Sequence, residues 1–144
     1  MAKRPSNRAR NIWTLDLLNI QPADRVLEVG CGPGFALTAA AARLPRGRIL
    51  GLDHSAVMLQ QAEVRNRAEV KSGRIELRLG NLDTAVAPME AFDKIYWVNV
   101  VQFLDDKDAA LARLFDALVP GGILATTYVP RGRGAHRADA LVMA

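Results

Sequence analysis

The stretch VLEVGCGPGF, residues Val26 to Phe35, is an apolar run interrupted by one acid and followed by glycines at alternate positions, Gly30, Gly32 and Gly34. Residues Arg25 to Gly30 read as a short strand, apolar on both faces except at Glu28, which is the pattern of a central parallel strand covered by helices. Glycine directly after such a strand lets the backbone turn and approach a ligand closely. The carboxylate at the mouth of the loop narrows the choice of ligand, because it repels the phosphates that glycine-rich loops usually receive.

Outward from this stretch the chain alternates. Phe35 to Leu44 is an alanine-rich helix that begins at the loop and stops before Pro45. Arg48 to Asp53 is a second strand, Ser55 caps a helix running to about Lys71, and Gly73 ends that helix. Arg74 to Leu79 is a third strand, Phe92 to Val100 a fourth, Asp106 to Leu118 a helix with an acidic start, and Gly122 to Val129 a fifth strand. Strands alternating with helices specify an α/β fold with a doubly wound, mostly parallel sheet. Upstream, Asn7 to Leu18 carries Ile12, Trp13, Leu15, Leu17 and Leu18 on an amphipathic helix that either covers the ligand crevice or packs on the sheet.

With 144 residues the chain makes one domain, here divided into a basic tail and helix over 1–20 and a ligand-binding domain over 21–144. The net charge of +4 is gathered at the ends: Lys3, Arg4, Arg8 and Arg10 at one, and Arg131, Arg133 and Arg137 at the other. The middle is net acidic, so the basic ends read as solvated tails rather than as a polyanion contact. Cys31 is the only cysteine, which excludes an intrachain disulfide framework. The segment NIWTLDLLNI is broken by Asp16 and is too short and polar for a signal or membrane span, so the expectation is a cytoplasmic protein with no membrane partner. No metal-ligand spacing is visible.

In a doubly wound sheet the ligand lies beyond the carboxyl ends of the strands, at the switch point. The dinucleotide fingerprint G-x-G-x-x-G does not fit, because the third glycine comes one place early and Phe35 stands where it would fall. Glu28 suits a ligand with a positive group. S-adenosylmethionine has an ammonium and a sulfonium at one end and a ribose at the other, and Asp53 closes the second strand about 20 residues after the glycines, where a ribose-binding acid belongs. The structural alternatives are a cap on the loop amides for Glu28 and a helix cap for Asp53.

These residues carry a resemblance. The chain is similar to the class I S-adenosylmethionine-dependent methyltransferases, whose E-x-G-x-G-x-G signature is matched in full by Glu28, Gly30, Gly32 and Gly34, and the similarity runs from about Asn11 to Val129. The resemblance implies a Rossmann-like sheet in the order 3-2-1-4-5, S-adenosyl-L-methionine as cofactor, and methyl transfer. It implies that Asp53, with His54 beside it, holds the ribose hydroxyls. Met58 lies against the adenine, and Gly80-Asn81-Leu82 reads the adenine edge, although the family more often has Asp where this chain has Asn81. Val98 and Asn99 fall beneath the transferable methyl, with Gln102 and Phe103 on the substrate side. No catalytic residue is assigned.

Relatives that methylate exocyclic amines carry an Asn/Asp-Pro-Pro-aromatic run after the fourth strand, whereas this chain reads Asn99-Val100-Val101-Gln102. A small-molecule acceptor is therefore expected, and nucleic acid is not. The alternative is a non-catalytic or truncated domain that only binds the cofactor. The family sheet has seven strands, and the segment from Val129 to Ala144 is expected to add only a loop and a short helix from about Ala135. The fifth strand would then keep an unpaired outer edge, which leaves either a pocket open on that side or a homodimer through the edge.

Overall fold

The computed structural model describes residues 7–98, 106–128 and 139–143. Helix α1 (Asn7–Leu18) leads to β1 (Arg25–Val29), α2 (Phe35–Ala41), β2 (Arg48–Asp53), α3 (Ala56–Arg65), α4 (Arg67–Ser72) and β3 (Ile75–Leu79). There follow α5 (Leu82–Ala85), β4 (Phe92–Val98), α6 (Lys107–Asp116), β5 (Leu118–Tyr128) and β6 (Asp139–Met143). The first five strands are parallel in the order β3-β2-β1-β4-β5, and β6 joins antiparallel outside β5. The order reverses between β1 and β4, which places the switch point where the glycine loop leaves β1.

Alternation along the strands divides the core into two layers. Val26, Ile49, Tyr96 and Ala125 pack with Leu15, Leu18, Leu37 and Ala40 on one face, and Leu27, Leu52, Ile95, Trp97 and Leu124 pack with Leu82 and Leu114 on the other. Leu15 and Leu18 are fully buried, and at about 2 kcal/mol each they hold α1 to the sheet. A buried hydrogen bond of 2.9 Å between the Thr14 and Thr127 hydroxyls fixes α1 against β5. Of the two roles expected for this helix, packing on the sheet is therefore the one observed.

The long helix expected between Ser55 and Lys71 is two helices. Ser55 caps the first through its hydroxyl, which accepts from the Met58 amide, and Gly73 ends the second in a left-handed conformation. Between them Asn66 leaves helical geometry, because its side chain is buried at 1 % exposure and bonds to carbonyls instead of facing solvent. The fifth strand starts earlier than expected, at Leu118. The segment Val119 to Gly122 forms a bulge: Phe92 pairs with Leu118, while Lys94 already pairs with Ile123.

The C-terminal expectation is corrected. Where a helix from about Ala135 was anticipated, residues 139–143 form β6, which pairs with β5 from Leu124↔Met143 to Tyr128↔Asp139. The outer side of β5 is occupied there by the chain's own strand, so the free edge that motivated a homodimer or an open pocket does not exist over that stretch. Asn99, Val100, Gln102, Phe103 and Val129 lie outside the described residues. Among the described residues no helix is long and apolar enough to cross a membrane.

Candidate functional site

The carboxyl ends of β1, β2 and β3 meet around Asp53. Its Oδ2 accepts the Gly32 amide at 2.8 Å and its Oδ1 accepts the Ser55 amide at 2.9 Å, while its backbone carbonyl accepts the Gly80 amide at 2.9 Å. The glycine loop is tied to β2 a second time by the bond from the Cys31 amide to the Leu52 carbonyl, 2.8 Å. Asp53 is 7 % exposed, whereas the neighbouring His54 side chain is 94 % exposed with its Nδ1 3.9 Å from Asp53 Oδ1. The cap of α3 is Ser55 and not Asp53, whose bond to the Ser55 amide is a turn contact ahead of the helix. The grip of Asp53 on Gly32 orders the loop that would face the ligand.

All three loop glycines have positive φ: 73° at Gly30, 53° at Gly32 and 91° at Gly34. At Gly34 space is also limiting, since a Cβ would lie 2.9 Å from both Ala62 Cβ and Asn66 Nδ2. The loop is thereby pressed against α3. Asn66 Nδ2 donates to the Gly34 carbonyl at 3.2 Å and to the Ala62 carbonyl at 3.1 Å, and its Oδ1 accepts the Thr38 hydroxyl at 2.6 Å.

Glu28 sits on the α1 and α2 side of β1, in register with Gly51 of β2 and Tyr96 of β4. A side chain at Gly51 would crowd Leu37 and Cys31, at 3.0 and 3.1 Å from its Cβ, so glycine lets both pack closely on β2. The Tyr96 hydroxyl donates to Glu28 Oε2. Oε1 has no hydrogen-bond partner among the described residues, and Glu28 keeps 5 % of its surface open. Burial raises the Glu28 carboxyl to about 8; the Tyr96 bond lowers it and the nearby Asp53 charge raises it further. A buried acid of this kind is matched by a cationic group arriving in the crevice.

The residues expected on the adenine side follow the ends of β2 and β3. Met58 is half-buried in the first turn of α3, and Leu82 is buried at the start of α5. Asn81 Oδ1 accepts from the Asp83 and Thr84 amides at 2.9 and 3.0 Å, capping α5 in a reciprocal box with Thr84. Among the described residues that leaves its amide nitrogen as the uncommitted polar group. Val98 ends β4, half-buried, and Asn99 lies outside the described residues. Cys31 is buried, and its thiol is pushed well up by burial and by the charges of Glu28 and Asp53, so it is a loop residue and not a nucleophile. The described residues contain no group of side chains arranged to hold a metal. Asn66, Thr38 and Tyr96 were missed from the sequence; the only signal for Tyr96 was a polar tip inside an apolar strand.

A methyltransferase-domain family model matches residues 26–122. The chain belongs to the class I S-adenosylmethionine-dependent methyltransferases. This methyltransferase domain is 34 % identical over 125 residues to the Bacillus subtilis methyltransferase YdaC, covering 87 % of this chain and 67 % of the relative. It is 37 % identical over 103 residues to a trans-aconitate 2-methyltransferase of Variovorax paradoxus, covering 72 % of this chain and 38 % of that protein. Among solved structures, a Haemonchus contortus phospholethanolamine N-methyltransferase in complex with phosphomonomethylethanolamine and S-adenosylhomocysteine superposes with a TM-score of 0.74. That match has 26 % identity and covers 89 % of this chain and 30 % of the other. The methyltransferase domain thus spans between about a third and two thirds of the length of these proteins. Its family uses S-adenosylmethionine, and the chemistry of the residues is compatible with it: a buried acid with one oxygen bonded by Tyr96 and a second acid bonded to the glycine loop.

Proposed function

We propose that this methyltransferase domain transfers the methyl group of S-adenosylmethionine to a small carboxylic acid. The observation that carries the reading is the placement of two buried carboxyls, Glu28 and Asp53, at the strand ends on either side of the glycine loop. Glu28 Oε1 receives the ammonium, and Asp53 accepts the ribose hydroxyls through lone pairs that its two backbone bonds leave over. Met58, Asn81 and Leu82 border the adenine, and Val98, at the end of β4, lies beneath the reacting carbon.

The bound cofactor supplies a methyl group already activated by its positive sulfur. The protein then has to hold the acceptor in line with that carbon and keep water away. At the described strand ends Glu28 and Asp53 are engaged in hydrogen bonds, and the His54 imidazole stands out in solvent instead of being buried in the crevice. An acceptor that is already ionised needs no base. A carboxylate meets that condition, and it is the class named by the trans-aconitate relatives. Its oxygen would form the new bond to carbon as the carbon–sulfur bond broke toward sulfur, and no side chain of the domain would have to move a proton.

The test is transfer of a labelled methyl group to a panel of small acids, amines and thiols, with trans-aconitate among the acids. Methyl-ester formation on an acid is expected. Turnover of amines alone would overturn the acceptor class, and binding of S-adenosylhomocysteine with no turnover anywhere in the panel would favour a domain that only holds the cofactor.

A further inference from the structure

We propose that Tyr96 is a positioning residue for cofactor recognition: its hydroxyl holds the Glu28 carboxyl in the orientation that receives an α-ammonium group, so the site distinguishes adenosine ligands that carry an amino acid from those that lack one. The inference rests on the cofactor reading of Glu28 above.

The geometry comes from the sheet. Parallel pairing of β1 with β4 sets Glu28 opposite Tyr96, so both side chains leave the sheet on the same face, and the hydroxyl donates to Oε2. Tyr96 is fully buried, and its phenol is pushed well above its ordinary range by burial and by Glu28, so it stays a donor. A carboxylate held on one oxygen by a neutral donor keeps the lone pairs of the other oxygen, here Oε1, free for a ligand donor. Tyrosine is otherwise a poor choice at the centre of a parallel sheet. It buries a hydroxyl where a β-branched residue would pack equally well, and the Glu28 contact is what satisfies it.

The groups around the pair are few. Asp53 faces Glu28 from the end of β2 and Cys31 from the loop, while Arg43, next to α2, acts on Tyr96 and is itself paired with Asp16 of α1 at 2.8 Å. None of the described groups places a cation on Glu28. The Tyr96 bond is thus the main local influence favouring the carboxylate form, and burial opposes it. Removing the hydroxyl both frees the carboxyl to rotate and makes it harder to ionise.

Tyr96→Phe keeps the ring and deletes the donor. S-adenosylhomocysteine affinity at pH 7 should fall about tenfold in this variant, while 5′-methylthioadenosine, which lacks the amino-acid arm, should change less than about twofold. The pH at which S-adenosylhomocysteine binding reaches half its maximum should move upward. In a Glu28→Gln background the Phe substitution should have no such selective effect. Incorporation of fluorinated tyrosine strengthens the donor with the fold intact and should move the same midpoint downward. Equal weakening of both ligands, or no shift in the midpoint with either replacement, would overturn the assignment and leave Tyr96 as packing. Wild-type protein that binds neither ligand would remove the cofactor reading, and this inference with it.

Discussion

Asp53 holds Gly32 across 21 residues of chain, taking its amide at 2.8 Å on one carboxylate oxygen while the other takes the Ser55 amide at 2.9 Å. The acid proposed for the ribose is also the anchor of the glycine loop, and its loss should act twice. Asp53→Ala is expected to weaken S-adenosylhomocysteine by about 100-fold and to lower stability by about 2 kcal/mol, since two backbone donors lose their partner. His54→Ala, which removes an exposed side chain, should leave both within error. Calorimetric titration and urea melts of the two variants check this, and equal losses would take Asp53 out of the site.

Gly34 and Gly73 separate close packing from backbone conformation. Both have positive φ, 91° and 82°, but a Cβ at Gly34 meets Ala62 and Asn66 at 2.9 Å, whereas one at Gly73 meets nothing within 4 Å. Gly73→Ala should cost about 1 kcal/mol and leave ligand binding intact. Gly34→Ala should cost more and should also displace the loop from α3, with loss of cofactor binding. A Gly34→Ala protein that binds normally would show that the contact with α3 does not shape the loop.

Asn66 tests the same support from the other side. Its buried carboxamide bonds to the Gly34 and Ala62 carbonyls and accepts from Thr38; those partners keep the Thr38 amide, the Asn66 amide and the Gly34 carbonyl respectively, so Asn66→Ala costs the three hydrogen bonds themselves, about 2 kcal/mol in a urea melt. Thr38→Val, at an exposed position, should cost less than about 1 kcal/mol. The reverse ranking would assign the α3–α4 break to helix packing rather than to this side chain.

Glu28 makes stability depend on pH. Burial raises its carboxyl from 4.5 to about 8, so the folded protein binds a proton that the unfolded chain releases between those values. The associated stability is fully present below pH 4.5 and is lost as pH rises through 8. Relative to Glu28→Gln, which has no such proton, the wild type should lose on the order of 4 kcal/mol across that range. Cofactor affinity should move oppositely, rising with pH as the carboxylate forms. A difference between the two proteins that stays flat with pH would mean that Glu28 is ionised throughout.

The parts of this molecule that sequence made legible are those fixed by local pattern. The bounds of β2, Arg48 to Asp53, and of α1, Asn7 to Leu18, follow from an apolar run between turn signals and from helical spacing, and both match the structure. The glycine loop was legible because the order of its residues along the chain marks a turn after β1, and the structure gives all three glycines positive φ with Asp53 bonded to Gly32. The rest depends on contacts distant in sequence. The Glu28–Tyr96 bond spans 68 residues and exists only in one register of β1 against β4. Asn66 looks like a solvent-facing residue in a helix until α3 is laid against the glycine loop. The short segment DALVM has no strand signal of its own strong enough to outweigh a tail reading, and it becomes β6 by pairing with β5.

The central claim, a site built for S-adenosylmethionine between Glu28 and Asp53, is tested most directly by calorimetric titration of the wild-type chain with S-adenosylhomocysteine and with NAD, repeated on Asp53→Ala and Glu28→Gln. The account predicts that S-adenosylhomocysteine binds one site per chain, that NAD binds far more weakly or not at all, and that each substitution weakens S-adenosylhomocysteine. Tighter binding of NAD by the wild type, or S-adenosylhomocysteine binding untouched by both substitutions, would contradict it.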